Sequence, residues 1–218
     1  MQRNMTVLKT AFWIGAGYFF APVSMAGELA AGIWAGDSPE QVATVADGYE
    51  CSLLLAGDGQ PSPSIGERTQ VYCFDQDLPL GIRDGQSRVY FDGNKASRLV
   101  VEYPLSVSTY TSVLASLRRQ GFVFVSLEVA DERLDVLAGL QSLDAQTLDS
   151  QLFALANRYD YRVSRRYMMV DNNSYRRAQQ AGITNVQDLL NGMHKTQYSG
   201  SQVAELVVSD GVLAVTYQ

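Results

Sequence analysis

The chain has 218 residues, 46% hydrophobic and 18% charged, with a formal net charge of −6. That composition excludes a disordered, collagen-like or multi-span membrane chain, and the acidic balance argues against nonspecific nucleic-acid binding. A single His and two Cys leave little material for a structural zinc site or His-dependent catalysis.

The N-terminus reads first. Arg3 and Lys9 charge a short leading stretch, an apolar run follows from Thr10 to Phe20, and Ser24-Met25-Ala26 sets small residues where a signal peptidase reads them. The pattern predicts a cleaved secretory signal over residues 1–26 and no transmembrane segment after it; an uncleaved anchor is the alternative. Removing two bases takes the net charge from −6 to −8.

Cys51 and Cys73 form an even pair in an exported chain, which reads as a disulfide. Their spacing is unlike a CxxC redox pair. Alternating flanks at 49–55 and 69–74 surround the loop GDGQPSPSIGE, so the bridge is expected to clasp a hairpin.

Between them and the signal, residues 27–48 lack clean periodicity, although Ser38-Pro39-Glu40 can open a short helix with Ser38 as cap. Short strands are expected at 88–91 and 96–103, separated by Asp92-Gly93-Asn94, with Asp84-Gly85 as an earlier turn. Tyr110, Val113, Leu114 and Leu117 then give a helical stripe that Gly121 stops, and 122–129 (FVFVSLEV) reads as a buried strand. Leu148, Leu152, Leu155 and Tyr159 form a second stripe, followed by a strand expected over 161–170. Thr184 with Gln187 suggests a capping box before the stripe Val186, Leu189, Leu190, Met193. AELVVS, Asp210-Gly211 and VLAVTY close the chain as a two-residue hairpin.

These elements predict an α+β fold: a disulfide-clasped β region over 27–103, then alternating helix–strand units and a C-terminal hairpin over 104–218, with helices covering one face of an antiparallel or mixed sheet. A weak repeat at an offset of 38 (Leu114, Leu117, Val125 and Ser126 against Leu152, Leu155, Val163 and Ser164) follows the same helix-then-strand order.

Catalytic signatures such as GxSxG, SxxK, HExxH or a Walker loop are missing from the sequence. His194 stands beside Lys195 at a helix end, with nothing to nominate a nucleophile. Two acidic runs, Asp75-Gln76-Asp77 and Asp131-Glu132 with Asp135, could serve a small carboxylate-dependent hydrolase, but loop caps account for them better, as they do for Asp171-Asn172-Asn173. No cofactor or metal is implied.

The distinctive segment is 158–177, with six Arg and four Tyr against two Asp. Arg158, Tyr159, Arg162, Arg166, Tyr175, Arg176 and Arg177 are the candidate binding residues, because Arg forks and Tyr faces suit an acidic or planar partner, either protein or envelope glycan. On a 161–169 strand, Arg162, Ser164 and Arg166 would share one face; pairing with the protein's own acidic half is the competing account. Ala181-Gly182-Ile183 before an apolar helix resembles the turn of a helix-hairpin-helix DNA module over about a dozen residues, but Thr184 stands where that module has its second glycine. The expectation is an exported, non-enzymatic binding or scaffold subunit. Intact mass of protein exported from its native host should fit a chain beginning at Gly27; a mature species retaining Met1 would contradict the signal.

Overall fold

The computed structural model describes residues 28–52, 70–160, 162–194 and 201–218. The expected signal, the loop GDGQPSPSIGE and Tyr161 lie outside the described residues. The fold is α+β, with helices packed on a nine-stranded sheet and a separate two-stranded one.

Local chemistry sets most element boundaries. The small sheet pairs β1 (Glu28–Ala30) with β2 (Ile33–Trp34). In α1 (Pro39–Val42), the Ser38 hydroxyl accepts from Gln41 N while the Gln41 side chain reaches back to Ser38 N, a reciprocal cap worth about 1 kcal/mol. β3 (Tyr49–Glu50), β4 (Val71–Phe74), β5 (Gln86–Asp92) and β6 (Lys95–Pro104) follow, then α2 (Val107–Arg119), which Ser106 caps. β7 (Phe122–Val129) turns into β8 (Glu132–Asp135), which leads to α3 (Val136–Gly139) and α4 (Ala145–Arg158). β9 (Arg165–Asp171), α5 (Asn172–Gln180), α6 (Val186–His194), β10 (Val203–Ser209) and β11 (Val212–Tyr217) complete the chain. The β10–β11 turn uses Asp210 and Gly211, both at positive φ, as a two-residue hairpin requires.

The large sheet runs β3-β4-β5-β6-β11-β10-β9-β7-β8, and every neighbouring pair is antiparallel. β6 pairs with β11 from Leu99–Tyr217 to Pro104–Val212, so strands of the N-terminal β region and of the helix–strand region share one sheet. Its first face holds the main core: Val89, Leu99, Val101, Leu127, Met169, Leu206 and Val215 pack with Val113 and Leu117 of α2, Leu155 of α4, and Leu29 and Ile33 of the small sheet. On the second face, Val125 and Val170 pack with Leu137 of α3, Ala178 of α5, and Val186 and Leu189 of α6.

Three expectations are corrected. Helices cover both faces of the sheet rather than one, because β7 and β9 are apolar on both sides near their ends. The strand expected from residue 161 begins at Arg165. The cap of α6 is Asn185 rather than Thr184: Asn185 Oδ1 accepts from Asp188 N at 2.9 Å, and its amide donates to Asp188 Oδ2 at 2.7 Å. The offset repeat keeps its helix-then-strand order but loses register, since Val125 lies inside β7 while Val163 precedes β9.

The Cys51–Cys73 disulfide is present, with Cα atoms 5.8 Å apart and a sequence separation of 22. Both cysteines are buried with Val71 against Tyr90, on the face opposite the main core. Cross-linking a loop of this length should stabilise the fold by about 3 kcal/mol through the unfolded state. Denaturant titration of the Cys51→Ser, Cys73→Ser double variant should show a loss of that size, and an unchanged midpoint would contradict it.

Candidate binding surface

The Arg/Tyr segment is organised by Arg165, a residue outside the candidate set. α4 ends at Arg158, and the backbone of its cap residue Tyr159 turns extended and leaves the last carbonyls of the helix without continuing amides. The Arg165 guanidinium bridges the helix end and the loop after it: Nε donates to Ala156 O in the last turn at 2.8 Å, Nη2 to Tyr159 O of the cap residue at 2.7 Å and Nη1 to Val163 O in the loop at 2.7 Å. A cation at the negative end of a helix dipole is favourable, and five donors on one plane suit a ring of carbonyls. Residues 159–164 therefore wrap the guanidinium, which delays the start of β9.

That wrapping disperses the candidate residues. Tyr159 and Arg158 both hydrogen-bond Glu132 on β8, and these bonds hold the Glu132 carboxyl below its usual range, while the bond to Glu132 raises the Tyr159 phenol. Arg162 lies in the wrapped loop, its backbone N–H donating to Asp160 Oδ1 at 3.0 Å. Arg166 is on β9 and meets Glu205 of β10 at 3.0 Å. Tyr175, Arg176 and Arg177 belong to α5. Tyr175 is half-buried against the second core, Arg176 is exposed, and Arg177 Nη2 donates to Ser174 Oγ at 3.1 Å and Ser201 Oγ at 3.3 Å. The structure thus joins Arg158 with Tyr159 at one carboxylate. It does not set Arg162 and Arg166 on a common strand face.

The acidic runs occupy structural positions. Asp77 accepts from Leu80 N at 2.9 Å, Ile82 N at 2.8 Å and Tyr103 Oη at 2.7 Å, which ties the loop after β4 to the main core. Burial foremost raises the Tyr103 and Tyr217 phenols far above their usual range. Gly85 is required here, because a Cβ would stand 2.6 Å from both Asp77 Cβ and the Tyr103 ring. Asp135 caps two helices at once, accepting from Ala138 N of α3 at 3.0 Å and Val186 N of α6 at 2.9 Å. Asp171 caps α5 through Ser174 N at 2.9 Å. Strands β4 and β8 stand seven places apart in the sheet. At ~4.8 Å per strand that is ~34 Å, so the two runs do not converge. Among the described residues, no group of three or more His, Cys, Asp or Glu could hold a metal ion. The α5–α6 turn does bend at Gly182, yet the first α6 amides are already taken by Asp135 and Asn185 rather than left for phosphate.

Sequence reasoning missed a second feature, the face of the sheet opposite the main core. Two neighbouring cross-strand rows cross β5, β6, β11, β10 and β9 there. One reads Gln86, Glu102, Ala214, Val207, Arg166; the next reads Arg88, Val100, Thr216, Glu205, Met168. Turned end for end about β11, the first row superimposes Arg on Arg, Val on Val and Glu on Glu of the second. Arg88 pairs with Glu102 at 2.7 Å as Arg166 does with Glu205, and Arg98 stacks 4.2 Å above the Tyr90 ring. Val100, Val207 and Ala214 are half-buried and, among the described residues, belong to none of the apolar clusters. The period-two alternation of each strand was the available signal, but only the strand order assembles it into rows.

No protein-family model matches the chain, and comparison with curated proteins and with solved structures found no match.

If Arg165 organises the segment, Arg165→Met should cost about 2–3 kcal/mol, because several carbonyls lose a charged donor together. Arg176→Ala should stay within about 0.5 kcal/mol. Chemical denaturation distinguishes these outcomes, and equal effects would refute the assignment.

Proposed function

We propose that the chain is an exported, non-enzymatic binding or scaffold subunit of a bacterial envelope assembly, of the pilus, secretion or polysaccharide-export type, working in an oxidising periplasm. The observation that carries the reading is the broad second face of the sheet, where charges alternate in pairs around small side chains. Ion pairs at such exposure contribute little to stability, but they govern which partner is accepted and in what orientation. The disulfide supports an oxidising compartment. Among the described residues, no helix is long and apolar enough to cross a membrane. Glu132, Asp77 and Asp135 are engaged in loop and helix-end bonds, which suits a framework better than acid–base chemistry.

The partner in this reading is a protein or an envelope glycan, met by the Arg-rich elements Arg158, Arg162, Arg166, Arg176 and Arg177 with Tyr159 and Tyr175 beside them. Affinity capture from the native envelope tests it. The Arg162→Glu, Arg166→Glu variant should retain its Tm within a few degrees while partner capture falls by about tenfold. Equal capture by variant and parent at one salt concentration would remove the reading.

A further inference from the structure

The first described strand begins one residue beyond the expected cleavage point. Only Gly27 separates the 26–27 bond from Glu28, where β1 starts, and one residue reaches ~3.5 Å at most. β1 is held on several sides. Glu28 O accepts from Gln202 Nε2 at 2.7 Å, Glu28 Oε1 accepts from Gly32 N at 2.8 Å, and β2 pairs along the strand. Leu29 and Ile33, 2% and 0% exposed, belong to the main core.

These contacts bear on hydrolysis. An endopeptidase draws residues on both sides of the scissile bond into its cleft as an extended chain, so cleavage depends on freeing the backbone there. Water adds across the Ala26–Gly27 amide, leaving a carboxylate on Ala26 and an ammonium on Gly27. On the leader side, the small residues Ser24 and Ala26 suit the pockets of a signal peptidase. On the other side the enzyme meets Gly27, Glu28 and Leu29. Once β1 is docked, Glu28 and Leu29 are engaged in the protein's own contacts, and the enzyme reaches them only through local opening of the strand.

The partners of β1 come late in the chain. Gln202 lies 174 residues beyond Glu28. Leu29 and Ile33 share their core with Leu206 of β10 and with Leu213 and Val215 of β11. A chain exported from its N-terminus delivers these residues last. Contacts so distant in sequence also form slowly, because closing the intervening loop is costly.

Resting on the exported-subunit reading, we infer that docking of β1 is the event that closes the 26–27 bond to hydrolysis. A signal peptidase acts on the bond while β1 is free, and the late arrival of Gln202, β10 and β11 sets the time it has. A chain that folds first is locked in a leader-bearing form, so the cleaved and the anchored protein are two outcomes of one race.

An order-of-addition experiment on the full-length chain tests this. The chain is diluted from urea into detergent micelles that already hold purified signal peptidase, or is refolded in the same micelles before the enzyme is added. Intact mass follows the product that begins at Gly27. Cleavage should be fast in the first order and slower by about a hundredfold or more in the second, where it waits on local opening. Gln202→Ala, which removes the tie to Glu28 and leaves the core side chains in place, should speed the second order by about fivefold and leave the first unchanged. Equal rates in the two orders overturn the inference and leave the export reading standing, and a second-order rate unmoved by Gln202→Ala overturns it as well. No cleavage between residues 26 and 27 in either order removes both.

Discussion

The pairing of β11 between β6 and β10 is the constraint on which the remaining architecture depends. The last strand of the chain lies in the middle of the sheet and joins by backbone hydrogen bonds two parts of the sequence that also share the main core. Leu213, Val215 and Tyr217 project from it into the main core, each fully or almost fully buried, so its placement fixes both hydrogen bonding and packing. Val101 and Val215 are paired across more than half the length of the chain. Such non-local pairing carries a large loop-closure cost and favours slow folding. The disulfide works at the other end of the sheet, where β3 contributes two residues and could not hold a register alone.

Much of this fold is legible in the sequence. The stripes in α2, α4 and α6 bury the residues their spacing selects, because each presents large apolar side chains at helical intervals. α5 escapes that reading since its buried positions are Ser174 and Ala178, small residues that give no apolar stripe in the segment NNSYRRAQQ. β8 escapes because ERLD is four residues long with three of them charged, and its place comes from the hairpin with β7. The small sheet is similar: Ala31 and Gly32 turn it at positive φ, a conformation Ala rarely signals.

The candidate surface is legible in composition and illegible in arrangement. Six Arg in a short span are plain in the letters, but which one binds the end of α4 depends on where the helix breaks. Once Arg165 takes those carbonyls, Arg162 is drawn into the loop and Arg166 becomes the first outward-facing side chain of β9. Likewise Arg88, Glu102, Glu205 and Arg166 come from distant stretches, and their end-for-end likeness exists only in the register of five strands. Local pattern gives the face of each strand; tertiary order gives the pattern of the face.

The nine-stranded sheet ends in strands of two and four residues. Strand-by-strand polymerisation needs a terminal template long enough to hold an incoming chain in register, since a short ladder gains too few hydrogen bonds to offset the entropy of ordering it. In an antiparallel pair only alternate residues turn their amides and carbonyls away from the neighbour, so β3 and β8 offer very few outward groups between them. Among the described residues, the large sheet therefore offers an incoming strand little template at either end. Association edge to edge is thereby disfavoured relative to association across the faces.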